Sequence, residues 1–406
     1  MPTATAVPTQ VMQGIEVPAT SVNPEAFFRA TRRLAFQIKG GTFAGLGNTD
    51  NIAVTQVGII SEITVRFTGT LTVTLGGGTC ATTRRWPYDL LRAVRLSANG
   101  QSNLINCSGA KLKVRDIMSK GDLSDRSVSR GVGGASPGTA TTNGTLSLAT
   151  ESWGVGSGVT AIPGAPTTYN VELSWVIPIA VDQVNLIGAI FAQTSATDLN
   201  LGLDWAPSTD LFVLTGAATA VLAGSYQIEG TVYSIPQGPN GDVIVPDLSV
   251  FHSLIQTRFP SPANGLNEVR LVGQGVGRQL LRVYAQLWNT AGGVSGPVIP
   301  DDTTYGQVGW RYGGNDTPEI FPQGAGAAGG GHLIRQKNER QFNSDIGACF
   351  GFWCLDFVSE NALRDTVNEG AATELRFLLE VASGVALSNQ FIEYVQETAF
   401  AGAVGA

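Results

Sequence analysis

Ile63-Thr64-Val65-Arg66-Phe67-Thr68-Gly69-Thr70-Leu71-Thr72-Val73-Thr74-Leu75 alternates apolar and polar residues almost without a break. Ile63, Val65, Phe67, Leu71, Val73 and Leu75 share one face, with Gly69 in the same register, and the threonines and Arg66 share the other. Period two over this length predicts a long strand with one face in a core and one outside. Gly69 predicts a bend or bulge within it. Gly76-Gly77-Gly78 ends it.

The same logic extends along the chain. Tyr169–Val176, Leu199–Leu203, Tyr226–Ile235, Glu268–Val272 and Leu280–Trp288 read as further strands. Pro246–Ile255 reads as the clearest helix, because Leu248, Phe251, Leu254 and Ile255 fall on one helical stripe. A shorter helical stretch is expected from Asp182 through Ile190. Residues 121–168, with one short strand near Leu146–Leu148, and residues 289–331 read as long Gly-rich loops.

Two stretches repeat a pattern. Ser174-Trp175-Val176-Ile177-Pro178-Ile179 is followed by a short helical segment, an acid at Asp198 and the alternating Leu199–Leu203. Phe352-Trp353-Cys354-Leu355-Asp356-Phe357 is followed by a helical segment from Ser359, an acid at Glu374 and the alternating Leu375–Leu379. The units lie roughly 175 residues apart, which predicts one β-module present twice. Short strands, long loops and little helix point to a β-sandwich or jelly roll.

Composition excludes several functions. The chain has 406 residues with 25 Lys+Arg, 32 Asp+Glu and a formal net charge of −7, so no general basic field exists to hold nucleic acid. Only His252 and His332 are present, too few for a His-rich metal site. The four cysteines include no C-x-x-C pair, and Cys349 and Cys354 sit in an apolar run as expected core thiols. Gly324–Gly329 fits G-x-G-x-x-G but lacks the strand before it and the helix after it. Asp301 and Asp302 read as solvated loop acids. No apolar run reaches spanning length, and residues 1–5 do not open a secretory signal. No cofactor, metal or catalytic residue is expected. Charged residues are only 14% of the chain, so the surface is either solvated by hydroxyls and amides or buried in large part against neighbours.

One local basic patch stands out. Residues 1–24 read as a proline-punctuated arm. Asn23-Pro24-Glu25 then offers a helix start, and Ala26–Phe36 reads as a short helix. Arg29, Arg32 and Arg33 would share one side, and Phe27, Ala30 and Leu34 another. A surface helix with paired arginines is the plain reading. Phe27, Phe28, Arg29, Arg32 and Arg33 are also a membrane-facing candidate set, since cations with aromatics suit an anionic lipid interface.

Trp175-Val176-Ile177-Pro178-Ile179-Ala180, Leu186-Ile187-Gly188-Ala189-Ile190 and the alternating Leu strand after them resemble the first jelly roll of tectivirus major capsid proteins. Those carry a Trp-Val-Pro strand, a Leu-x-Gly-Ala segment and a similar strand afterwards. Val245-Pro246-Asp247-Leu248-Ser249 resembles the helix of their second barrel, and Val57-Gly58-Ile59 the start of their first. The likeness runs over about two thirds of the chain. It implies an all-β chain of two tandem jelly-roll β-barrels with a few short helices and an N-terminal arm. The expected division is 1–50 arm and helix, 51–224 first jelly roll, 225–395 second jelly roll and 396–406 tail. It further implies a homotrimer, neighbouring capsid trimers, penton and minor capsid proteins, and an internal viral membrane met by the N-terminal segment, as in a bacteriophage virion assembled in the host cytoplasm. No sequence-specific nucleic-acid partner is implied. The alternative is a secreted two-domain jelly-roll glycan amidase or hydrolase, or a glycan-binding spike.

Overall fold

The computed structural model describes residues 20–98, 101–120, 130–131, 160–162, 168–193, 198–239, 241–271, 278–290, 296–298, 304–312, 319–321, 330–342, 351–358, 367–368 and 375–401. In the first half the strands are β1 Thr20–Val22, β2 Arg33–Thr42, β3 Thr49–Ala53, β4 Ile59–Thr74, β5 Cys80–Thr82, β6 Leu91–Ala98, β7 Gln101–Cys107, β8 Arg130–Gly131, β9 Thr160–Ile162, β10 Thr168–Pro178, β11 Ile190–Phe191, β12 Leu199–Trp205, β13 Phe212–Leu214 and β14 Thr219–Tyr233. In the second they are β15 Val243–Val245, β16 Val250–Pro260, β17 Gly265–Arg270, β18 Arg278–Asn289, β19 Gly296–Val298, β20 Tyr305–Tyr312, β21 Glu319–Phe321, β22 Phe352–Asp356, β23 Val367–Asn368, β24 Leu375–Val381 and β25 Phe391–Ala401. Helices α1 Pro24–Ala30, α2 Gly109–Lys120, α3 Ser208–Leu211 and α4 Gly330–Phe342 join them.

The duplication is visible in strand order. One sheet of the first lobe runs β2-β14-β4-β10, with β11 also on β4. Its counterpart runs β16-β25-β18-β22, with β23 also on β18. The opposing sheet of the first lobe runs β3-β12-β6-β7, and its counterpart β17-β24-β20-β21. Helices α2 and α4 occupy the same place in each series. Trp175 on β10 and Trp353 on β22 are equivalent, both fully buried. The chain is all-β, two jelly-roll lobes of one topology.

Each lobe has its own core. In the first, Val65, Phe67, Leu71 and Val73 of β4 meet Leu199, Leu201 and Leu203 of β12 across the sandwich. Phe67, Phe43 and Tyr226 gather around Trp205 at 4.9–6.0 Å between ring centroids. In the second, Trp353 and Tyr394 flank Phe377 at 5.6 and 5.1 Å. The close approach of β4 and β14 requires Gly69: a Cβ there would lie 2.4 Å from the carbonyl oxygen of Ala223.

The lobes also share a sheet. β16 pairs with β7 in parallel through Leu254↔Ile105 and Ile255↔Asn106, so β19-β18-β25-β16-β7-β6-β12-β3 is one ladder. Within it β18 and β25, with β22 beside β18, are buried on both faces, and β16 is so over His252–Leu254. Ile392 and Tyr394 of β25 point into the second core, while Val395 belongs to the first. Trp353 and Leu355 of β22 and Phe352 and Cys354 divide the same way.

This two-sided burial accounts for the main sequence misreading. Pro246–Ile255 is not a helix; β16 starts at Val250, between β25 and β7. A strand covered on both faces loses its period-two signal, and the chance spacing of Leu248, Phe251, Leu254 and Ile255 imitates a helical stripe. The stretch from Asp182 is turns around Asp182 Oδ1, which accepts from the N–H groups of Val184 and Asn185. Residues 289–331 contain β19, β20 and β21, hidden because Gly306 and Gly309 dilute the apolar pattern of β20. The short strand expected near Leu146–Leu148 and the helical segment from Ser359 lie outside the described residues. Strand β2 lies within 1–50, β3 crosses residue 50, β14 is continuous through 224 and 225, and β25 through 395 and 396.

Because Trp175 donates Nε1–H to the carbonyl of Tyr88 at 3.0 Å inside the core, Trp175→Ala should cost about 3–5 kcal/mol, and Trp353→Ala a similar amount. Denaturant titration of each variant checks this, and a loss under about 1 kcal/mol at either site contradicts equivalent core roles.

Candidate functional site

The basic N-terminal segment divides into an anchor and an exposed edge. Asn23 caps α1 by accepting from the Ala26 N–H at 3.1 Å, and Pro24 fills the first turn. The helix stops at Ala30, because Thr31 turns extended and its hydroxyl donates to the Ser234 carbonyl at 2.6 Å. The helix expected to reach Phe36 therefore ends at Ala30, and Arg33 begins β2 beside Tyr233. Phe27 is fully buried against Ile59, Leu186, Tyr233 and Val245, so it is an anchor and faces no membrane. Phe28, Arg29, Arg32 and Arg33 remain exposed. Arg29 pairs with Glu25 at 2.5 Å, one turn back. Arg32 and Arg33 do not extend a helical side from Arg29, since the backbone there is extended.

The larger charged assembly lies at the lobe seam, where no sequence pattern marks it. Helix α2 puts Leu112, Val114, Ile117 and Met118 into the first core. It also buries Lys111, Lys113, Arg115 and Asp116. Lys111 and Arg115, four apart, share a helix side. Glu393 and Glu397 on β25, also four apart, share a strand face. Lys111 Nζ donates to Glu393 Oε2 at 2.5 Å, and Arg115 Nη2 to Glu397 Oε1 at 3.0 Å. Arg258 donates to Glu393 Oε1 at 2.8 Å and Arg282 to Glu397 Oε2 at 3.3 Å. Burial alone raises the Glu393 carboxyl, but Lys111, Arg85 and the hydrogen bonds from Lys111 and Arg258 outweigh it and hold it at about 2. Glu397 is likewise held well below the usual carboxylate range, where Arg115 and Arg282 outweigh its burial. Lost buried ion pairs are costly because they strand a charge away from water.

Aromatic rings line the same seam. Arg85 lies 4.4 Å from the centroid of Trp288, which stacks on Phe391, and Arg258 lies 3.9 Å over Phe391. Where β7 and β16 part, a cleft of about 210 Å³ is lined by Arg92, Asn106, Cys107, Gln256, Arg258 and Glu393. Burial pushes the Cys107 thiol up to about 12, so it is no thiolate nucleophile.

The other sequence candidates separate. Cys80, Cys107 and Cys354 are buried. His252 is buried on β16 and bonded at both ring nitrogens. His332 falls in α4. Cys349, Gly324–Gly329, Asp301 and Asp302 lie outside the described residues. Among the described residues no group of three or more His, Cys, Asp or Glu could hold a metal ion. No helix among them is long and apolar enough to cross a membrane.

The architecture is that of a double jelly roll. No protein-family model matches the chain, and no curated protein sequence does. Solved structures do. The major capsid protein of STIV superposes with a TM-score of 0.58 at 14% identity, over 91% of this chain and 97% of that one. A chain of Sulfolobus Turreted Icosahedral Virus gives 0.57 at 14% identity, over 91% and 90%. VP54 of PBCV-1 gives 0.51 at 11%, over 93% and 97%. The likeness therefore spans both lobes in one alignment.

The acid response of the seam follows in sign. Glu393 titrates near 4.5 when free and at about 2 when folded. Its stabilisation is complete above the free value and is lost as pH falls through the folded one. Urea midpoints should therefore fall steadily from pH 4.5 towards pH 2. A midpoint unchanged across that window contradicts the ion-paired seam.

Proposed function

We propose that this chain is the major coat protein of an icosahedral virus, a building block of a virion shell with no catalytic role. The observation that carries the reading is the duplicated jelly roll whose two lobes share one sheet, since its end-to-end likeness is to viral capsid proteins. A duplicated lobe suits the geometry. Three chains present six similar lobes, so a three-fold particle fills six-fold positions in a shell. A welded seam keeps the two lobes of a chain in fixed relation, which regular tiling needs. The sparse charge supports it too: 14% of residues are charged, and several of those are spent inside the seam. What is left is a surface of hydroxyls and small residues that suits burial against other copies.

The finer parts of the reading are a pseudo-hexameric trimer, contacts to neighbouring trimers and to penton and minor capsid proteins, and a membrane inside the shell. The lobes divide after Tyr233 and resume at Val250. The inward edge is α1 and the loop whose Leu186 packs on Phe27. Phe28 on α1 and Val184 on that loop are exposed, with Arg29, Arg32 and Arg33 alongside. Aromatic and aliphatic side chains beside cations fit an anionic headgroup layer. The enzyme reading would need a convergent acid pair or nucleophile in a cleft. The cleft at the seam offers Glu393, which is occupied by Lys111 and Arg258.

Light scattering of the purified protein should give a particle of three chains of 42.4 kDa each. Flotation with vesicles containing phosphatidylserine should show binding that falls several-fold on Arg29→Gln, Arg32→Gln and Arg33→Gln together. A monomer at micromolar concentration overturns the coat reading. Unchanged flotation overturns the membrane edge alone.

A further inference from the structure

His252 sits on β16 with no solvent exposure of its side chain. Its Nδ1 is 2.9 Å from the carbonyl oxygen of Pro178, at the end of β10 in the first lobe. Its Nε2 is 3.0 Å from Glu397 Oε1 on β25 in the second. Both partners are acceptors. A backbone carbonyl has no proton to give, and Glu397 stays ionised between Arg115 and Arg282. A neutral imidazole has one N–H and one lone pair. Either neutral tautomer would set that lone pair against an oxygen lone pair inside a buried seam, where unsatisfied polar contacts are most costly.

We propose that His252 is held as an imidazolium and acts as a proton-operated latch between the two lobes, closed while both ring nitrogens carry protons and loosened when one is lost. The charged groups around it are Glu397 from β25, Arg115 from α2, Arg282 from β18, and Asp356 from β22 behind Arg282. Arg115 repeats the tie, because its Nη2 donates both to Glu397 and to the carbonyl of Val181, three residues beyond Pro178. Glu397 thus holds the end of β10 twice, once through each cation. Losing the second ring proton breaks one tie and leaves the other. The seam weakens and the fold persists. The sign is fixed: both N–H groups are needed to satisfy the two acceptors, so loss of a ring proton can only weaken the seam. The latch lies within one chain and does not rest on the shell reading.

Only two histidines occur in the chain, so selective ¹⁵N-histidine labelling of the full-length protein gives two ring systems. His252→Gln assigns them directly, and His332→Gln assigns them by elimination should the first variant fail to fold. In the folded protein at its most stable pH the His252 ring should show both nitrogens protonated, with a Glu397 contact. Raising the pH until the ring spectrum shows one bare nitrogen should cost the wild-type chain several degrees of thermal stability, and His252→Gln should lack this step. A bare ring nitrogen in the most stable state, or wild-type stability indifferent to loss of the ring proton, overturns the latch.

Discussion

The structure depends on one sheet being covered on both sides. In an isolated jelly roll the outer face of β16-β25-β18-β22 would meet water. Here it receives α2 and part of the first core, through Val395, Tyr284, Phe352 and Cys354. The opposite face carries Ile392, Tyr394, Val283, Trp353 and Leu355 into the second core. The strands of that sheet therefore belong to two lobes at once. Neither lobe can shift without uncovering apolar area that is favourable to bury at roughly 25 cal/mol per Å².

Charge makes the seam specific. Apolar faces alone would tolerate sliding, whereas carboxylates two turns of pleat apart must each find a cation. Lys111 and Arg115 provide them with the spacing of one helical turn, and Arg258 and Arg282 complete the set from the strands beside β25. Such buried pairs add little net stability over a well-packed apolar seam. What they fix is register: a one-residue slip of β25 would turn Glu393 and Glu397 into the second core, with no cation waiting. That fixed relation is what the proposed tiling role requires.

Much of the fold was legible in the sequence, for physical reasons. Strand β4 has an outward threonine face and an inward apolar one, so its period is clean. The Trp175 and Trp353 strands mark equivalent places in the two lobes, and the repeat they suggested is present in the strand order. The seam was illegible for the opposite reason. β16 is buried on both faces over His252–Leu254, the stretch where an alternation would have to be read. Helix α2 turns Lys111, Lys113 and Arg115 inward, which a polarity pattern assigns to solvent. A short helix gives too few turns to separate Phe27, the anchor, from its exposed neighbours. Low total charge was readable, but not that part of it lies inside.

Electron cryomicroscopy of the purified protein tests the account most directly, since it images the relation of the lobes as well as their number. The account predicts a three-fold particle with six barrel densities in a near-hexagonal outline, each chain's two barrels joined by continuous sheet density at β7 and β16. Single chains whose barrels take variable relative orientations would contradict it.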